Sequence, residues 1–232
     1  MGAIDNSNIP ASGVRKETRA NVVIGAGTVH FGLKYNPEDV PAVGTPGDAD
    51  YEPAVTKGWN ARESLAFATG DGNTFKIEQD LYDIEPDGAK VKVKGMISKI
   101  GETATITASP IEITAEVMKK SAFLREGTQT DGAVEGYDLF VSRDIIRDND
   151  YVKDLGLIGR TADGRLFVII FDWAYCSSGL ELALKNKDKT MPSLEFECVQ
   201  DFDGNHNVLP YKIYVQQGDD FEQVDPSDLP TA

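Results

Sequence analysis

Alternating apolar and polar positions run through most of the chain. Between Thr74 and Ile84, the apolar Phe75, Ile77 and Leu81 are separated by Lys76, Glu78 and Asp80. That period of two predicts a half-buried strand. Pro86-Asp87-Gly88 should end it, because proline gives the ladder no donor and Asp-Gly tolerates positive φ. Val91, Val93 and Ile97 then face one way and Lys92, Lys94 and Ser98 the other, which predicts a second strand. Gly101 predicts another turn, and the β-branched run Thr103–Thr107 a third strand, with Ile111 and Ile113 carrying the pattern to Thr114. A short helix over 115–124 follows, with Thr114 as N-cap and Val117, Met118, Ser121, Ala122 and Leu124 as its buried stripe. Glu116 stands four residues before Lys120, and Lys119 and Lys120 suit the negative helix end. The helix is expected to cover an edge or face of a sheet.

The flanks read the same way. VVIGAGTVHFGL, within 21–33, is a glycine-bent strand. It opens like a dinucleotide fingerprint, but the third glycine position holds His30, and Pro37 and Pro41 replace the helix that should follow. Residues 34–60 form a long loop with four prolines and three glycines, and Trp59 is its expected anchor against the body or a neighbour. After the helix, 125–136 should be a loop or hairpin tip, 137–143 a strand and 144–154 an exposed charged segment. Leu155–Arg160 and Arg165–Ala174 flank Thr161-Ala162-Asp163-Gly164 as a hairpin. LFVIIFDWA is apolar on both faces, which predicts a central strand covered twice, with Asp172 a solvent-facing or hydrogen-bonded strand residue. Residues 179–186 and 193–203 are expected to pair, and 210–217 to form the last strand. The result is a mainly β fold, a β-sandwich or rolled β-barrel with one short α-helix.

Composition narrows the function classes. The chain has 232 residues and 41% hydrophobic content, enough to bury a core. No apolar run reaches the ~20 residues of a membrane helix, and the N-terminal residues lack a secretory apolar stretch. The formal net charge of −15 opposes nucleic-acid binding, although a wide DNA conduit also requires a negative wall. Cys176 and Cys198 are expected as free thiols; a disulfide is possible, and no spacing points to zinc. Asp201–Asn205 resembles half of a calcium loop but lacks its spacing and closing glutamate, so an Asp-Gly turn with His206 beside it fits better. Two histidines and no nucleophile motif argue against a hydrolase. No catalytic residue, metal or cofactor is expected. Residues 1–20 read as a flexible arm, 21–217 as the β domain and 218–232 as an acidic tail.

The ordered series from 68 to 116, ATGDGNTFKIEQDLYDIEPDGAKVKVKGMISKIGETATITASPIEITAE, resembles the tail tube (major tail) proteins of long-tailed, siphovirus-like bacteriophages. The matching features are a Gly-rich turn before an F-x-I-E strand, D-I-E-x-D-G, a basic V-K-G-M segment, a threonine-rich strand and I-E-I-T-x-E leading into a helix. The similarity is looser near 165–202. It implies homohexameric rings whose inner strands join into one barrel and which stack into a tube. Implied partners are the tape-measure protein and the tail-tip or baseplate and tail terminator proteins; DNA passes through the lumen without specific binding, and no membrane is involved. The implied location is the virion tail, assembled in the host bacterial cytoplasm. Related tubes also occur in bacterial contractile machines. Candidate lumen-facing acids are Glu78, Asp80, Glu195 and Glu197, and candidate residues of a ring-stacking loop are Tyr35, Tyr51 and Trp59. An outer-surface position is an equal alternative for Glu195 and Glu197. The competing class is a β-sandwich ligand- or carbohydrate-binding adhesion module, against which the aromatic residues, 9% of the chain, show no clustering in the sequence.

Overall fold

The computed structural model describes residues 22–47, 50–61, 69–85, 87–88, 90–184 and 190–217. The expectations for the N-terminal arm and for the acidic tail fall outside them. Among the described residues the protein is mainly β, with antiparallel ladders and one α-helix.

Strand β1 (Val23–His30) is bent by Gly25 (φ 89°) and Gly27 (φ 67°), and its register against β8 shifts between Ile24 and Thr28. Only glycine enters that conformation cheaply, which is the physical content of the GAG run. Next come the short strands β2 (Lys34–Asn36) and β3 (Gly58–Asn60), then the long strands β4 (Thr69–Asp83) and β5 (Ile97–Pro110). Helix α1 (Ala115–Ala122) leads to a small hairpin of β6 (Leu124–Glu126) and β7 (Phe140–Ser142). Strands β8 (Val152–Thr161), β9 (Leu166–Cys176), β10 (Leu194–Cys198) and β11 (Tyr211–Val215) complete the chain.

The main sheet runs β1-β8-β9-β10-β5-β4. Strand β9 is its centre. One edge pairs with β8; the other is shared lengthwise, Ala174–Cys176 with β10 and Phe167–Phe171 with β11. The sheet then rolls until its two outer strands, β1 and β4, lie side by side. Among the described residues no ladder joins them, but Asn73 Nδ2 donates to the Gly27 carbonyl at 3.2 Å across the seam. The core fills the roll: Val29, Leu155, Ile169 and Phe171 from one wall meet Ile106, Leu194 and Phe196 from the other. A second cluster, Leu33, Val168 and Ile170 with Trp59 and Ala61, lies on the outer face of β8–β9. The doubly covered strand read from LFVIIFDWA is therefore present, with successive residues entering different clusters.

Alternation breaks once in each of β8 and β9. Val152 and Leu155 enter the same cluster although three residues apart, and so do Phe171 and Ala174. Strict alternation would put each pair on opposite faces. Asp154 sits at φ 51° between the first two, and both strands roll over there. Asp172, at the same level of β9, points outward and holds Lys212 Nζ at 2.7 and 2.8 Å.

Several expectations need correction. Gly101 does not turn the chain; it lies inside β5, opposite Asp80, where the β4–β5 register shifts between Asp80 and Leu81. Val91 and Val93 precede β5 and are exposed rather than forming a strand of their own. Ile111 and Ile113 lie beyond its end at Pro110. Residues 179–184 form no strand; β10 pairs instead with β5 and β9. The 34–60 stretch is a loop with a β-hairpin base and stem: β2 pairs β3, and bridges join Val40 to Val55 and Val43 to Glu52. In the charged 144–154 segment, Asp150 is 3% exposed and accepts a bond from Arg143 Nη1 at 2.8 Å. Thr114 does cap α1, accepting from Val117 N at 3.2 Å, and the helix stops at Phe123 in the left-handed region. Val117 and Ser121 are the fully buried part of its stripe, and it rests on β9 and β6.

Candidate functional site

Two outer surfaces of the roll are candidates, and they differ in cover. Over the outer face of β8–β9 the base of the 34–60 hairpin is laid down. Leu33 N donates to the Asp154 carbonyl at 2.9 Å, Lys34 Nζ meets Asp154 Oδ2 at 3.3 Å, and Trp59 closes the second cluster. Tyr35 and Trp59 are cross-strand partners with ring centroids 5.1 Å apart, and Trp59 also meets Tyr214 of β11 edge-on at 5.0 Å. Edge-to-face pairs of this kind contribute about 0.5–1.5 kcal/mol beyond area burial. The anchor predicted for Trp59 is thus a contact with the body. Tyr51 stands further out, beside the Val43–Glu52 bridge, and does not join this cluster.

The outer face of β4–β5–β10 carries no such cover among the described residues. Residues opposite one another in antiparallel strands share a face. Thr74, Thr107 and Glu195 therefore form one row across the three strands, and Lys76, Thr105 and Glu197 the next. Glu78 opposite Thr103 and Asp80 opposite Gly101 continue it. All four acids expected at a lumen lie on this one face. Lys76 Nζ bonds Glu78 Oε1 at 2.6 Å, and Glu197 Oε2 accepts from the Tyr175 hydroxyl at 3.1 Å. Burial first, and the neighbouring Glu197 carboxylate second, push the Tyr175 phenol above its ordinary range. The wall thus presents the exposed Thr74, the half-buried Thr103 and Thr107, and carboxylates with one paired lysine, while Thr105 is buried among them. The sequence reading placed the threonines and Lys76 on strands but not on this wall; their signal was the alternation of Thr103, Thr105 and Thr107 with the core residues Ala104 and Ile106.

Beyond β10 the β4–β5 hairpin continues with no further strand paired to it among the described residues. Along β5, β10 pairs with Thr105–Ala108, whereas β4 and β5 stay paired to Asp83 and Ile97. Leu81, Tyr82 and Ile84 on one side and Met96, Ile97 and Ile100 on the other are all exposed. On the inner side, Glu102 receives Lys99 Nζ at 2.8 Å and the Tyr211 hydroxyl at 3.2 Å, bridging β5 to β11 where no ladder joins them. The Lys99 ammonium is the first cause holding the Glu102 carboxyl below its usual range.

Two clefts flank Trp173. The larger, about 990 Å3, lies between the 53–56 stretch, Glu116 and Lys120 of α1, and the Asp154 corner. Lys120 Nζ spans to the Tyr151 carbonyl at 2.9 Å and also to that of Asn149. Among the described residues no group of three potential metal ligands converges, and Cys176 and Cys198 are free and buried. The Asp201–Asn205 stretch is a turn, Gly204 N donating to the Asp201 carbonyl at 3.0 Å, and His206 Nε2 lies 2.9 Å from the Phe202 carbonyl. No helix among the described residues is long and apolar enough to cross a membrane. Compared with models of known families and with curated protein sequences, the chain matches none.

Proposed function

We propose that this chain is a structural subunit that closes into hexameric rings stacked as a virion tail tube, a conduit through which DNA passes. The observation that carries the reading is the solitary end of the β4–β5 hairpin. A two-stranded ribbon with large apolar side chains exposed on both strands is marginal in water alone. Side-by-side packing of copies covers it and pairs its open edges. A head-to-tail contact of this kind closes into a ring in the plane and leaves an open stack along the axis.

Two further features support it. The β8–β9 outer face is occupied by the chain's own hairpin, so the threonine-and-carboxylate wall of β4–β5–β10 is the face left for a lumen. A hydroxyl-rich, negative wall lets a polyanion slide without binding. The hairpin beyond its anchored base, around Val43 and Tyr51, is the contact for the next ring in this reading. The resemblance of residues 68–116 to tail tube proteins adds the ring number, the partners at the two tube ends and the tape-measure core. In this reading the protein has no catalytic role.

Cysteine placement tests the wall. Glu195→Cys and Glu78→Cys in assembled tubes should react with a small maleimide and resist one carried on a protein too wide for the bore. Equal labelling by both reagents places these residues outside and overturns the assignment.

A further inference from the structure

We propose that the smaller cleft beside Trp173 is a saccharide-binding groove, formed whether or not the chain builds a tube. It encloses about 620 Å3, and its lining includes Tyr151, Trp173, Phe202, Asp148, Asp201 and His206. Three aromatic rings reach it from separate elements: Tyr151 follows the 3-10 turn at Asp148–Asp150, Trp173 belongs to β9, and Phe202 lies in the β10–β11 connection. Their association was invisible in the sequence, where 22 to 51 positions separate them.

Phe202 is the informative member, at 89% exposure. A large ring in water costs free energy unless something covers it. The loop that holds it is stiff. Gln200 Nε2 donates to the carbonyls of Asn205 at 3.1 Å and Val208 at 3.0 Å, its Oε1 accepts from Asp201 N at 3.0 Å, and Asp201 Oδ1 accepts from Phe202 N at 2.7 Å. Gly204 is packed over Gln200 so closely that a Cβ there would stand 2.5 Å from its Cδ. The backbone that carries the ring is thus ordered before any ligand arrives, which lowers the cost of binding.

The chemistry of the lining selects the ligand. A pyranose ring offers an apolar C–H face that stacks on an aromatic ring, and a rim of hydroxyls that donate to carboxylates. Trp173 and Phe202 supply the first partner; Asp148 and Asp201 the second. Lys153 Nζ, 5.1 Å from the Trp173 ring centroid, lines the larger cleft and not this groove. The two carboxylates, on a chain of net charge −15, disfavour nucleotides and other phosphates that would also stack on these rings. The ligand class is a neutral or amino sugar.

The full chain carrying Trp59→Phe leaves Trp173 as the single tryptophan. Its fluorescence would be followed on adding maltotriose, cellotriose or chitotriose. A saturable change with at least one of them near ~1 mM is expected, weakened about tenfold or more by Phe202→Ala. That ring is too exposed for its loss to unfold the protein. No saturable change up to ~20 mM with any of the three, or equal affinity in Phe202→Ala, overturns the proposal. So does a Trp173 signal that moves with protein concentration and not with sugar, because a protein contact then fills the groove.

Discussion

Leu33 lies directly over Gly156. A Cβ on Gly156 would stand 2.7 Å from the Leu33 Cβ and 2.9 Å from its Cγ. Leu33 is buried where the 34–60 hairpin leaves β1, so the closeness of this pair seats the hairpin on β8. Gly156→Ala should destabilise the protein by about 1–3 kcal/mol through overpacking. Gly159→Ala is the control, because a Cβ there meets Val23 at an ordinary 3.6 Å. Urea unfolding of the two variants should separate them clearly; equal midpoints would mean that Leu33 shifts aside freely.

Trp59 ties the hairpin to β11 through Tyr214. Trp59→Ala should leave the rolled core folded while losing about 1–3 kcal/mol, since the ring is only partly buried. Limited proteolysis should then cut within 40–56 faster than in the parent. Unchanged cleavage would show that the Val40–Val55 and Val43–Glu52 bridges hold the hairpin without its base.

Asp150 is nearly inaccessible and depends on Arg143, with Arg147 N donating to its other oxygen at 2.8 Å. Arg143→Ala strands a buried carboxylate and should cost about 3–5 kcal/mol. Replacing both residues with apolar ones should cost less than this single change, measured as a double-mutant cycle. Additive losses would mean that the pair does not act as a unit.

The legible part of this fold was local. The β8–β9 hairpin was readable because Asp163-Gly164 sits between two apolar runs, and Gly164 takes the required φ of 93°. Helix α1 was readable from Thr114 and its stripe. Gly101 misled because a glycine inside a strand and one at a turn look alike in sequence; here a Cβ would crowd the Asp80 Cβ at 3.3 Å, opposite the register shift. β10 was assigned the wrong partner because its true neighbours are about 20 residues before it in β9 and about 90 before it in β5, a separation that no periodicity encodes. The four candidate lumen acids were chosen from alternation and the resemblance, and the structure puts them on one face. The aromatic groove could not be foreseen, because Trp173 in an apolar strand reads as core.

Titration should show two limits. Glu102, Asp131 and Asp163 carry carboxyls held below their usual range, first by Lys99, Arg125 and the Thr161 hydroxyl respectively. A depressed folded value means stability that is complete above the unfolded carboxylate range and lost as pH falls through the folded value, so unfolding midpoints should drop below about pH 4. At the other end, burial pushes the Cys198 thiol up to about 12. Its contribution is complete below the unfolded thiol value and lost as pH rises toward the folded one, from about pH 8.5 upward. Cys198 should also resist iodoacetamide at neutral pH until the protein is denatured. Rapid alkylation of the folded chain, or midpoints flat from pH 3 to pH 6, would contradict this picture.

The central claim is assembly. Negative-stain electron microscopy of the purified protein at low and high concentration, with its solution mass beside it, tests it most directly. Rings or hollow tubes with about six subunits per layer are the expected result. A protein that stays monomeric at every concentration, and also fails to polymerise on a purified tail-tip complex, would contradict the tail-tube account.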